Sequence, residues 1–251
     1  MYKLDHIVHF VESPEKLIEQ TKNIGLYTVP GGKHDMWGTY NSLCYFGLSY
    51  IEYIGIFDEE LYLDSAKEPF TLHETYLKRN RRNGFNRIAL RTNSIEEDAK
   101  RLRALGLSVF GPQNFSRTRP DGSVVKWKLL HFGFQEQDLD LPFLIEWEGE
   151  DQERYEELKQ LGTIKNHPLG NLKIKEISFS VPNLKIAEKW AGLFEYKVEK
   201  SDTCMKLIAP EYELTFNKKD SSPSEISHVT ISGSNEEKEI VIENGKYIFV
   251  K

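Results

Sequence analysis

Histidine exchanges protons near neutral pH more readily than any other side chain. Two of the seven histidines, His6 and His9, stand in the opening run Leu4-Asp5-His6-Ile7-Val8-His9. Three apart on a strand, they point to opposite faces of a sheet, so only one of them can reach a given site. His34 precedes Gly38-Thr39. A glycine there lets backbone approach a ligand, and the histidine suits substrate binding or general acid–base work. The plain alternative is a loop residue capping a strand. Thr39 and Asn41, two apart, share one sheet face and offer neutral hydrogen bonds to a polar substrate. His73, His131 and His167 show no spacing of interest. No GxGxxG follows a strand, and no GxxxxGK(S/T), GxSxG or CxxC occurs. Phosphate cradles, the hydrolase nucleophile elbow and a zinc ribbon are therefore not expected.

A repeated unit positions these residues. The stretches KLDHIVHFVESPEKLIEQTKNIGLYTV from Lys3, GFNRIALRTNSIEEDAKRLRALGLSVF from Gly84 and LKIKEISFSVPNLKIAEKWAGLFEYKV from Leu172 read alike. Each starts with an alternating strand-like run. A helix-start residue follows, Ser13, Ser94 or Asn183. Pro14 suits a first helical position, and Glu97 completes a capping box with Ser94. His6, Arg87 and Glu176 each precede that start residue by seven positions. Gly25 and Gly106 close their helices 19 positions after His6 and Arg87, whereas Gly192 lies 16 after Glu176, so the third helix reads about a turn shorter.

Further strand-like runs follow at 26–29, 38–46 and 49–56, then at 107–110, 124–132 and 143–147, then at 196–200, 205–209 and 212–217. Asp121-Gly122 is a turn signal feeding the middle strand of the second unit. A fourth, shortened copy begins at 226–232 and ends in an Asn244-Gly245 hairpin, with no helix of normal length. The repeat register sets Trp127 opposite Asn41 and Val125 opposite Thr39. Trp127 is then either the apolar wall of a site or an ordinary core aromatic. His228 falls in register with Glu176 and Glu213 and reads as a structural pair. The fold class is α+β, built of tandem βαβββ modules in two paired-module units, the second degenerate. The boundaries are 1–150, a solvated linker helix within 151–170, and 171–251.

The chain has 251 residues and a net charge of −6. That balance disfavours a nucleic-acid binder, and the Lys78, Arg79, Arg81 and Arg82 cluster is too short for a basic stripe. No apolar run approaches the roughly 20 residues of a membrane span. Cys44 and Cys204 are far apart and fit reduced thiols. The first residues lack a signal peptide's apolar core. A cytoplasmic protein, without nucleic-acid or membrane partners, is expected.

Leu4-Asp5-His6-Ile7-Val8 resembles the first strand of the vicinal-oxygen-chelate superfamily, the glyoxalase/bleomycin-resistance/dioxygenase group. Tyr50-Ile51-Glu52-Tyr53 and Leu144-Ile145-Glu146-Trp147 resemble its module-ending strands, and His34-Asp35-Met36-Trp37-Gly38-Thr39-Tyr40-Asn41 resembles its glyoxalase-like subfamily. The resemblance implies a cup built by paired modules, with a divalent metal held by one first-strand and one last-strand residue of each. Carried over, those positions are His6, Glu52, Arg87 and Glu146. A guanidinium has no lone pair to offer a metal. Two readings stay open. Either His6, Glu52 and Glu146 hold Mn, Fe or Zn, or there is no metal and Arg87 pairs a carboxylate or grips an anionic substrate. Repulsion between Arg87 and a dication disfavours the metal. The resemblance further implies an enzyme acting on a small polar or carbonyl-containing metabolite, with Glu52 or Glu146 as general base and His34 assisting. Arg87, Thr39, Asn41 and Trp127 would bind substrate. The alternative is a non-catalytic, resistance-type sequestering protein that grips its ligand with aromatics such as Trp37, Tyr53 and Trp127. Either way the partner is a small molecule, and the chain is a monomer or homodimer.

Overall fold

The computed structural model describes residues 2–118, 122–136, 138–220 and 223–251; Asp121 of the Asp121-Gly122 signal lies outside them. The first module runs β1 (Lys3–Phe10), α1 (Pro14–Asn23), β2 (Thr28–His34), β3 (Thr39–Phe46) and β4 (Ser49–Ile56). Two short helices follow, α2 (Glu59–Ser65) and α3 (Leu72–Lys78). The second module is β5 (Gly84–Arg91), α4 (Ile95–Ala104), β6 (Ser108–Thr118), β7 (Val124–Gly133) and β8 (Phe143–Trp147). After the linker helix α5 (Asp151–Gln160) comes the third module, β9 (Gly170–Val181), α6 (Lys185–Phe194), β10 (Lys197–Lys200), β11 (Cys204–Ile208) and β12 (Glu213–Lys218). The fourth is β13 (Glu225–Ser234), β14 (Lys238–Ile242) and β15 (Gly245–Phe249), without a helix.

Strand pairing turns the repeat into quasi-symmetry. The first sheet has the order β2-β3-β4-β1-β5-β8-β7-β6, so the two modules join back to back through β1 and β5. There His6 pairs with Ala89 and Val8 with Arg87. Each residue faces the counterpart of its neighbour but one, as a twofold axis between the strands requires. The second sheet, β10-β11-β12-β9-β13-β15-β14, repeats the arrangement with Ser178 on His228 and Glu176 on Thr230. The α+β paired-module architecture expected from the sequence is therefore present twice.

The long helices are amphipathic in the way a sheet-covering helix must be. They bury Leu17 and Thr21 in α1, Ile95, Ala99 and Leu102 in α4, and Ile186, Ala187 and Trp190 in α6. Their ends depart from expectation in two ways. Gly25 and Gly106 do stop their helices with left-handed backbone, at φ 85° and 84°. Gly192 does not. The third helix continues through it to Glu195, which takes the left-handed conformation at φ 56°. Glu195 lies 19 after Glu176, the same offset as in the other two modules, so the third helix is not shortened. Ser13 and Ser94 make no side-chain cap. Asn183 is not the cap either: the cap position of α6 falls one residue later, at Leu184, and Asn183 Oδ1 accepts from Lys185 N at 3.1 Å from just ahead of it.

The two sheets share one apolar core. Phe132 meets Phe194, and His9 bonds Tyr247. The linker is pinned as well. Leu169 N donates to Gly25 O, and His167 accepts from Tyr27 N at 2.9 Å while its Nε2 lies 2.7 Å from Tyr45 O. Among the described residues no helix is long and apolar enough to cross a membrane.

Candidate functional site

The outermost strands of the first sheet, β2 and β6, come together. A Cβ built on Gly32 would lie 2.4 Å from Arg117 Nη1. Since these strands are the two edges, the sheet curls almost closed and encloses a cavity of about 390 Å³. Strand alternation decides what faces it. His6, Glu52, Asn41, Trp127, Phe143, Ile145 and Trp147 line the cavity, while Ile7, Ile51, Ile88 and Leu144 point into the shared core. Helices α2 and α3, which Asp58 and the Thr71–Glu74 capping pair start, pack Tyr62, Leu72 and Tyr76 beneath its floor.

One chain of polar contacts runs through this apolar wall. The Asp5 carboxylate is fully buried and receives the Nδ1–H of His6 on Oδ1 at 2.8 Å. It also takes Arg91 Nη1 at 3.0 Å and Trp147 Nε1 at 2.9 Å on Oδ2. Burial by itself would raise the Asp5 carboxyl. The His6 hydrogen bond and the charges of Arg154 and Arg91 outweigh it and hold the group well below the usual carboxylate range. With Nδ1 committed, His6 presents Nε2 to Glu52 Oε2 at 3.6 Å. The other oxygen of Glu52 accepts from Asn41 Nδ2 at 2.5 Å, and Asn41 Oδ1 is held by Gly32 N at 2.8 Å. Gly31 permits that arrangement, because a Cβ there would overlap Asn41 Oδ1 at 1.9 Å. His34 is bonded to Thr39 Oγ1 at 3.0 Å, with its Nε2 at 3.5 Å from Asn41 Nδ2. Burial lowers the pKa of His34 and so favours the neutral imidazole.

Four of the residues expected here lie elsewhere: Thr39 is fully buried and only supports His34, Tyr53 points into the shared core, and Glu146 and Arg87 serve other contacts. Glu146 points to the far side of β8, where its Oε2 accepts from Ile95 N at 2.9 Å and replaces the missing Ser94 cap of α4. The ladders explain the slip. Val8 pairs with Glu52, and its counterpart Ala89 pairs with Phe143. Phe143, not Glu146, is the quasi-symmetric partner of Glu52. Arg87 is 2% exposed and donates to the carbonyls of Phe70 and Leu141, with its guanidinium 5.6 Å from the Phe143 ring. It ties α3's approach and β8's approach to the sheet and does not border the cavity. His9 faces away from the cup, as its spacing from His6 demands, and lies against β15 of the second sheet, not beneath a helix. His228 stands 4.0 Å from Glu176 on the second sheet.

The family model described as Glyoxalase-like domain matches residues 4–194. The chain belongs to the glyoxalase-like domain family. No curated protein matches the sequence. Among solved structures, a hypothetical protein from Staphylococcus aureus is 24% identical, with 99% of each chain covered and a TM-score of 0.88. A mutant 4-hydroxymandelate synthase from Streptomyces coelicolor is 8% identical, covering 92% of this chain and 71% of its own, with a TM-score of 0.55. A xylose isomerase-like TIM barrel/4-hydroxyphenylpyruvate dioxygenase fusion protein gives 15% identity and a TM-score of 0.53 over 92% of this chain and 36% of its own. These likenesses establish the fold.

In this glyoxalase-like chain the metal positions implied by the resemblance do not make a metal site. Only His6 and Glu52 bring donor atoms together, and the other two quasi-symmetric positions carry a guanidinium and a phenyl ring. Among the described residues no group of three His, Cys, Asp or Glu is placed to hold an ion. The cup residues that sequence reasoning missed are Asp5, Trp147, Arg117 and Arg154. Asp5 left a signal, being an acid in an otherwise buried strand next to His6. Trp147 left one too, since alternation puts it opposite in facing to Glu146. Arg154 left none. It comes from the linker helix, whose Arg154 and Leu158 turn inward and close one side of the cavity.

Proposed function

We propose that the cup binds a small carbonyl-containing metabolite and that Glu52 and His6 move a proton on it. The observation that carries the reading is a carboxyl group and an imidazole facing each other at 3.6 Å in the wall of an otherwise mostly apolar cavity. Asp5 orients the imidazole from behind, as the third member of a catalytic chain does. Asn41 occupies Glu52 Oε1 and leaves Oε2 to face the ligand. In this reading Oε2 takes a proton from the carbon next to the carbonyl and returns it, while His6, in the form protonated on both nitrogens, keeps Nδ1–H on Asp5 and donates Nε2–H to the oxygen on which charge develops. Neutral His34, held from behind by Thr39, and Asn41 position the carbonyl, and Trp127 forms an apolar wall. No step passes through a metal, because the donor set does not supply one.

The three tryptophans around the cavity, Trp37, Trp127 and Trp147, favour a second reading, tight sequestration without turnover. Proton NMR separates the two. Small 2-oxo and 2-hydroxy acids, ketones and aldehydes are incubated with the protein in D2O, and loss of the α-proton signal is followed. The catalytic reading expects exchange that Glu52→Gln slows by about 10²–10⁴-fold. A ligand that binds the wild type but exchanges no faster than in buffer leaves sequestration.

A further inference from the structure

Resting on that reading of the cup, we infer that Arg154 is the anion-binding residue of the cavity and that the ligand is a small carboxylate with a flat, apolar body. Arg154 sits in the middle of α5, outside every element from which the βαβββ repeat builds the cup. Its side chain is only 10% exposed, and it borders the cavity. Its guanidinium lies over the Trp147 ring with 4.0 Å from Cζ to the ring centroid. Stacking of this kind holds the guanidinium plane and leaves its edge free to donate.

Nη1 of Arg154 is buried and makes no hydrogen bond. A buried guanidinium donor without a partner is costly, so its retention points to a group that arrives from outside. The nearest fixed anion, Asp5, is 3.7 Å away and already receives His6, Trp147 and the closer Arg91. Asp5 therefore meets two guanidiniums with one charge. Arg91 has a second anion in Asp151, 2.9 Å from its Nε. Arg154 and Trp147 also border a second depression with Glu150, Glu153 and Glu157. Arg117 also borders the cavity and adds a second cation to it.

The geometry also limits the length of the ligand. Asp5 touches His6 through one oxygen and faces Arg154 through the other. The anion site and the acid–base pair are thus separated by about the width of one carboxylate. A ligand whose carboxylate reaches Arg154 places the atoms one or two bonds away beside His6 and Glu52. Its remainder lies among Trp147, Trp127 and Phe143, which suit a flat apolar group. A carboxylate matches the guanidinium edge in bidentate fashion.

The test uses phenylacetate and its uncharged isostere phenylacetamide, titrated into the full chain by calorimetry. The wild type is expected to prefer the acid at least tenfold. Arg154→Met should abolish that preference while retaining amide binding, and Arg154→Lys, which keeps the charge without the fork, should hold part of it. Thermal unfolding of both variants reports whether they fold, and Arg154→Lys keeps the test decisive if Arg154→Met does not. The inference is overturned if the wild type binds neither probe or shows no preference, or if a folded variant keeps the whole preference. It fails separately from the catalytic reading. Loss of preference in the Arg154 variants with no α-proton exchange in the wild type removes catalysis alone. Exchange that proceeds with a preference indifferent to Arg154 removes this inference alone.

Discussion

Acidification to about pH 5.5 should destabilise this protein through histidines that have no part in its chemistry. His9, His73 and His131 are each buried, and burial lowers each to about 3. In the unfolded chain a histidine titrates near 6.5. Between those values the unfolded state binds more protons, so stability falls as pH drops through about 6.5. From about pH 7 to about pH 5.5 each such histidine costs about 1 kcal/mol, roughly 3–4 kcal/mol for the three, a large part of a typical 5–15 kcal/mol. His34, also lowered, acts in the same direction. The Asp5 carboxyl, held low in the folded state, contributes stability that is lost only below the ordinary carboxylate range, outside this window. Urea unfolding at successive pH values reads the slope directly. His73→Gln should reduce it by about one histidine's share, roughly 1 kcal/mol over the interval, whatever it does to stability at neutral pH. A free energy of unfolding that stays flat from about pH 7 to about pH 5.5 would refute the reasoning, as would a His73→Gln slope equal to that of the wild type.

Other consequences follow from the same contacts. Asp5→Asn removes the anion between two guanidiniums and should cost about 3–5 kcal/mol in urea melts, since half of a buried charge cluster is left unpaired; a loss below about 1 kcal/mol would show the cluster to be unimportant. Arg87→Met should lower stability by at least about 2 kcal/mol through the freed Phe70 and Leu141 carbonyls, while phenylacetate affinity in the folded fraction stays unchanged. Glu146→Gln should cost about 1 kcal/mol as a weakened helix cap and leave α-proton exchange intact, an outcome that would not be seen if Glu146 were the base. Glu195→Gly should raise the melting temperature, because a left-handed backbone costs a side chain about 1 kcal/mol that glycine does not incur.

Repeat offsets made the fold legible, because they report backbone geometry that every module must share. The position seven before each helix start marks the same place on each first strand. That is why His6 and Arg87 were placed in true register although their chemistry differs. The last strands were harder. Matching Ile51-Glu52 to Ile145-Glu146 aligned similar letters three residues from the true correspondence of Glu52 with Phe143, and the odd shift put Glu146 on the wrong face. Gly192 misled in the same manner. Glycine is the usual left-handed residue but not an obligatory one, and Glu195 occupies the conserved offset instead. The wall contributed by α5 was not legible at all, since a charged helix with one inward arginine has the composition of a solvated one.

That wall ties the candidate chemistry to the whole chain. His6 is oriented by Asp5, and Asp5 is balanced by Arg91 from the second module and Arg154 from the linker. The linker is held in turn by His167 against β2 and β3, and by Leu169 on the turn that ends α1. Past Leu169 the chain enters β9 at once, in the sheet that buries His9 from below. A first unit cut away after β8 would keep all eight strands of its sheet yet lose Arg154, one side of the cavity and the cover over His9. The second unit therefore needs no site of its own to matter for the first, because it anchors the segment that completes it.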